Sequence, residues 1–145
     1  MNVNKSAWGL AVLGLTVLIS SSVATAVTKT STGKAPEEVA QDLMQKELTG
    51  MPGKELQMLT VEYAPGGSSP PHYHHAQVFV YVLSGTMRMQ VKGSPVVTLQ
   101  PGQTFYEGIE DEHTVSANAS QTQPATILVF MVKDKTAVDT PGTTP

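Results

Sequence analysis

Polar and apolar residues alternate along this chain in short runs, with the period of β-strands. The clearest run is Val78 to Leu83 (VFVYVL), β-branched or aromatic nearly throughout. Glu55 to Tyr63 (ELQMLTVEY) also reads as a strand, and a slip of its alternation near Leu59 suggests a bulge. Thr86 to Val91 (TMRMQV) alternates, and Val96 to Leu99 returns after the turn Lys92-Gly93-Ser94-Pro95. Gln103 to Glu107 and His113 to Ser116 are expected as short strands around a polar loop. Ala125 to Val132 (ATILVFMV) is almost continuously apolar, which predicts a strand buried on both faces. Glu37 to Leu48 carries a mixed signal. Val39, Leu43 and Leu48 roughly fit a helical face, while LMQKEL fits an edge strand, so a helical turn or coil followed by a strand is expected.

Turn residues separate these runs: Gly50-Met51-Pro52-Gly53, Pro65-Gly66-Gly67, Ser84-Gly85 and Pro101-Gly102. Short strands with a turn between each predict an all-β fold, an antiparallel sandwich or barrel. With 145 residues, one domain is expected, and 40% hydrophobic content is enough to fill its core. The chain has no Cys, which excludes disulfides, thiolate zinc sites and a cysteine nucleophile. The formal charge is −3 with no basic run, so nucleic acid is not an expected partner.

The N-terminus reads as an address. Lys5 precedes the apolar run Leu10 to Ile19, and Ala24-Thr25-Ala26 is a small-x-small cleavage site. The apolar run is too short to span a bilayer, so no membrane anchor is expected after cleavage. The expected organisation is a signal peptide over 1–26, a flexible lead-in over 27–36, a barrel over 37–133 and a flexible tail over 134–145. The mature protein is expected in the periplasm or secreted.

The chemistry gathers at Gly66 to Gly85, where His72 and His74 head the strongest strand. Residues i and i+2 of a strand share a face, and paired imidazoles on one face suit a divalent metal. His75 is expected to point away. A solvated histidine pair in a Pro-rich loop is the alternative.

These residues resemble the cupin superfamily. Gly66, His72-Tyr73-His74, Val78 and Gly85 reproduce the spacing of its first motif, but Val78 stands where the family has Glu. Gly102 and His113 fall in register with the second motif. Gly108 and Glu110 stand at its Pro and Gly, and Ala117 at its Asn, with Asn118 one residue late. The resemblance covers roughly Leu56 to Val132 and implies a double-sheet jelly-roll barrel. It also implies a divalent transition metal (iron, manganese, zinc or nickel) on His72, His74 and His113.

For the missing carboxylate there are three candidates. Glu107 could reach in from a neighbouring strand, Gln77 could supply an amide oxygen, or water could fill the place. Glu107 is preferred, because a carboxylate beside Phe105 and Tyr106 needs a cation or strong partners to stay charged; an exposed loop acid is the alternative. Glu107 and Tyr81 are the catalytic candidates, with Tyr106 beside them. Glu110, Asp111 and Glu112 are expected to form a solvated loop. The expected barrel lining is Val78, Val80, Val82, Met87, Met89, Phe105 and Phe130, with Arg88 and Gln90 outside.

An apolar or aromatic small molecule is the implied ligand. The resemblance implies dioxygenase, isomerase or lyase chemistry. A non-catalytic module that binds a metal or small ligand is the alternative, and a homodimer paired through edge strands is a further expectation.

Overall fold

The computed structural model describes residues 37–137. The expected signal peptide and lead-in, and the tail beyond Ala137, lie outside the described residues. Ten strands follow one another: β1 (Glu38–Glu47), β2 (Lys54–Tyr63), β3 (Ser68–Ser69), β4 (His72–Tyr73), β5 (Ala76–Ser84), β6 (Met87–Val91), β7 (Val97–Leu99), β8 (Thr104–Glu107), β9 (Glu112–Asn118) and β10 (Ala125–Asp134). Among the described residues there is no helix.

The strands form two antiparallel sheets. One has the order β1-β2-β10-β5-β8; the other has β3-β9-β6-β7, with β4 also paired to β9. This is the double-sheet jelly roll. Sequence neighbours such as β8 and β9 lie in different sheets, so the chain crosses repeatedly and closes a core between them.

Strand periodicity sets what enters that core. In β5, Ala76, Val78, Val80 and Val82 are buried, while Gln77, Phe79, Tyr81 and Leu83 are exposed. Met87 and Met89 enter from β6. Each such side chain, fully buried, contributes about 1.5–3 kcal/mol.

Several expectations are corrected. Glu38–Glu47 is strand throughout, with no helical turn. It lies on a sheet edge and buries little, so pairing with β2, rather than its weak apolar face, fixes its conformation. The irregularity placed near Leu59 belongs to the partner: β1 slips register between Asp42 and Met44, while β2 pairs with β10 without a break. β10 is buried on one face only, since Ala125, Ile127, Val129 and Met131 face in and the alternate residues are half-buried. Phe130 consequently leaves the barrel lining; it sits opposite Phe79 in a shallow depression on the outer face.

Gly85 closes the turn from β5 to β6 with φ +74°. A Cβ there would lie 2.6 Å from the Ala125 Cα and from the Pro124 carbonyl oxygen. Only glycine permits both the left-handed backbone and that approach.

Candidate metal centre

The strand ladder assembles the centre. His72 on β4 lies directly opposite His113 on β9. Val78 on β5 lies directly opposite Glu107 on β8. Donor atoms of His72, His74 and Glu107 all fall within 4.8 Å of one another. That span is a little over twice a metal–ligand bond of ~2.0–2.2 Å. The His72 ring centre is 4.7 Å from that of His74 and 5.1 Å from that of His113.

Glu107 is 2% exposed. Its Oε1 lies 3.1 Å from His113 Nδ1, and its Oε2 is buried with no hydrogen-bond partner. His113 is also buried, stacks on Phe105, and keeps an unpartnered Nε2. A carboxylate can only accept here, so Nδ1 of His113 carries the proton and Nε2 carries the lone pair. The same logic applies to His72, whose Nδ1 donates to the Pro70 carbonyl at 2.8 Å. Burial pushes the His72 imidazole below its usual pKa, and the His74 and His113 rings push it the same way, against the Pro70 bond. A ring that stays neutral is one whose Nε2 lone pair is available as a ligand.

His113 enters this region because β9 is bulged. Its pairing with β6 slips between Gln90 and Val91, which face Val115 and His113. Without that slip, strict alternation would set His113 and Ser116 on opposite faces. With it, His113, Ser116 and Asn118 are all buried.

The sequence candidates separate accordingly. His72, His74, Glu107 and His113 come together. His113 lies inside, but its donor is not in the mutually close set; it contacts Glu107 instead. Gln77 is exposed, because the alternation of β5 turns it outward beside the inward Val78. Tyr81 is corrected for the same reason: it is 42% exposed on the outer face, as is Tyr106 at 51%, and neither lines the cavity. His75 is exposed as expected. In the acidic loop, Asp111 accepts from the Gly108 N–H at 2.7 Å and Glu112 pairs with Lys92 at 2.5 Å. Glu110 takes φ 65° and donates its N–H to the His74 carbonyl. The loop is therefore held by a hydrogen bond within it and by contacts to His74 and Lys92.

A cavity of about 410 Å³ opens above the centre. Val78, Val80, Met89, Val129 and Met131 give it apolar walls. The sequence reading missed its polar side. Tyr63 Oη lies 2.8 Å from Ser116 Oγ and 2.9 Å from Ser69 Oγ, and Ser69 in turn bonds Glu38. Burial pushes the Tyr63 phenol up to about 12, against the two serine hydroxyls. Polar residues at inward positions of alternating strands were the available signal.

A protein-family model described as the cupin domain matches residues 59–131, half of the chain. The chain belongs to the cupin family. No curated protein sequence matches it. Among solved structures, this cupin resembles oxalate oxidase in complex with glycolate, with a TM-score of 0.55, 23% identity, and coverage of 75% of this chain and 55% of that one. It also resembles the DMSP lyase DddQ of Ruegeria pomeroyi DSS-3, with a TM-score of 0.53, 22% identity, and coverage of 59% and 42%. The cupin domain of Schizosaccharomyces pombe Cnp3 aligns with a TM-score of 0.58 at 13% identity, over 71% and 66%. At these identities the likeness is one of fold. The chain spans about half the length of the first two proteins.

Proposed function

We propose that this cupin is an exported, metal-dependent enzyme acting on a small molecule, with the metal held by His72, His74 and Glu107. The Glu107 carboxylate carries the reading. It is buried, one oxygen is held by His113, and the other has no partner beside two imidazoles. A carboxylate in that setting stays charged when a cation takes its free oxygen. Two imidazoles and a carboxylate suit a first-row divalent ion: iron, manganese, zinc or nickel. When bound, such an ion supplies Lewis-acid or redox chemistry at its open positions.

The residues of the chain do the rest. Pro70 fixes the tautomer of His72. His113 is assigned as the positioning residue that fixes the Glu107 carboxylate. The apolar walls of the cavity favour an apolar or aromatic ligand. Dioxygenase, isomerase or lyase chemistry is the reaction class this centre can support, and the resemblance to proteins named as an oxidase and a lyase agrees with that. Export rests on the leader pattern of residues 1–26. Pairing of two copies is part of the same reading, supported by the exposed Phe79, Tyr81 and Leu83 on one sheet face.

The test is elemental analysis of the purified protein beside His72→Ala and Glu107→Ala, followed by oxygen uptake and product analysis on phenols and diketones. Near-stoichiometric metal, lost in both variants, is expected together with turnover. Unchanged metal in His72→Ala discards the site. Tight metal with no turnover of any compound replaces the enzyme with a non-catalytic binding module.

A further inference from the structure

The cavity holds a second polar feature that the metal centre does not use. Gln57 lines it from β2, and its side-chain Oε1 is buried with no hydrogen-bond partner. The other end of the amide is fixed. Gln57 Nε2 donates to Asp42 Oδ1 at 2.6 Å, and a carboxylate cannot bond the amide oxygen, so the amide cannot turn over. Its acceptor is held in place and points away from Asp42.

Register places this acceptor relative to the metal centre. Gln57 pairs with Met131, Met131 with Val78, and Val78 with Glu107. All four lie on one transverse row of the sheet and line the same cavity. Three strand spacings, about 14 Å of backbone, separate the ends of the row. Between them stand Met131 and Val78, which offer no polar group. A buried acceptor without a donor is destabilising unless something fills its place.

We propose that Gln57 is a specificity-determining residue of the cavity, accepting a hydrogen bond from a hydroxyl or N–H group of the ligand. The substrate class follows: a small, mostly apolar molecule with a hydrogen-bond donor at the end away from the metal. The assignment rests on the reading that the cavity takes a small molecule, but not on a metal being present.

Phenol and toluene test it, because they share a shape and differ in one donor. Dissociation constants for both are measured on the purified full chain, by titration and by the Gln57 side-chain amide signal in ¹H–¹⁵N spectra. In Gln57→Met, of similar volume, the toluene-to-phenol ratio of dissociation constants is expected to fall at least about fivefold. Asp42→Ala, at an exposed position, frees the amide to rotate and is expected to lower the ratio at least about twofold. The Gln57 amide signal should move with phenol and not with toluene. A ratio unchanged in both variants overturns the assignment while leaving the small-molecule reading intact. Binding of neither probe overturns both. Metal content of the same samples reports the metal reading separately.

Discussion

Val78 and Glu107 face each other across the β5–β8 pair, both buried and both lining the cavity. Val78 occupies the motif position where cupins carry Glu. In this chain a carboxylate lies instead on the adjoining strand, at Glu107, beside His72 and His74. Directly opposed residues have Cβ atoms about 5 Å apart, so either one can deliver a carboxylate to the same volume. Glu107→Val is expected to lose at least about 90% of bound metal, because it removes the only anionic donor of the set. The exchange Val78→Glu with Glu107→Val is expected to recover most of it. Elemental analysis of folded samples checks this. An exchange variant that folds but stays empty shows that the two positions are not equivalent.

His113 gives a second prediction, because a positioning residue and a ligand fail differently. Its Nδ1 holds Glu107 Oε1, and its donor lies outside the mutually close group. His113→Asn keeps a donor toward Glu107, so metal affinity should weaken by about 10- to 100-fold. His72→Ala should abolish stoichiometric binding. Competition with a chelator of known affinity separates these results. Equal loss in both variants makes His113 a ligand.

The parts legible in sequence were those set by local period. VFVYVL could only alternate, and Val78, Val80 and Val82 are buried as that period requires. The histidine pair and Glu107 were legible because a spacing and a misplaced carboxylate are both visible in one dimension. What depended on pairing was not legible. Nothing in EHTVSAN indicates the slip that brings His113 and Ser116 to one face; it exists only against β6. Gln57 and Tyr63 are 21 and 9 residues before Val78 and His72, and only the sheet order brings them to the same cavity. Glu38–Glu47 kept a helical pattern because its strand state comes from β2, not from its own periodicity.

Glycine provides an internal contrast for stability. Gly85 and Gly93 both have positive φ, +74° and +83°. An added Cβ at Gly93 meets nothing within 4 Å, while at Gly85 it meets the Ala125 backbone at 2.6 Å. Gly93→Ala should therefore cost only the left-handed backbone, about 1–2 kcal/mol. Gly85→Ala adds a backbone clash that no rotamer relieves, so about 3 kcal/mol or more is expected, with displacement of the β5–β6 turn. Urea unfolding of the two variants checks the difference. Equal losses would mean the approach of Ala125 to Gly85 is relaxed at little cost.

Tyr63 makes stability depend on alkaline pH in a predictable direction. Its phenol is pushed up to about 12 in the folded chain, chiefly by burial, from 10.0 in the unfolded one. Below pH 10 both states keep the proton, and the neutral phenol contributes its full stabilisation. Above pH 10 the unfolded chain releases the proton first, so stability falls as pH rises and levels off above pH 12. A shift of this size corresponds to a loss of up to about 3 kcal/mol. The measured quantity is a difference between two proteins, so that contributions common to both cancel. Tyr63→Phe should be less stable at pH 8 by about 1–2 kcal/mol, since it gives up the bonds to Ser69 and Ser116. That deficit should shrink and then reverse as pH rises from 10 to 12. A constant deficit across that range would show that the Tyr63 phenol ionises as readily inside the barrel as in water.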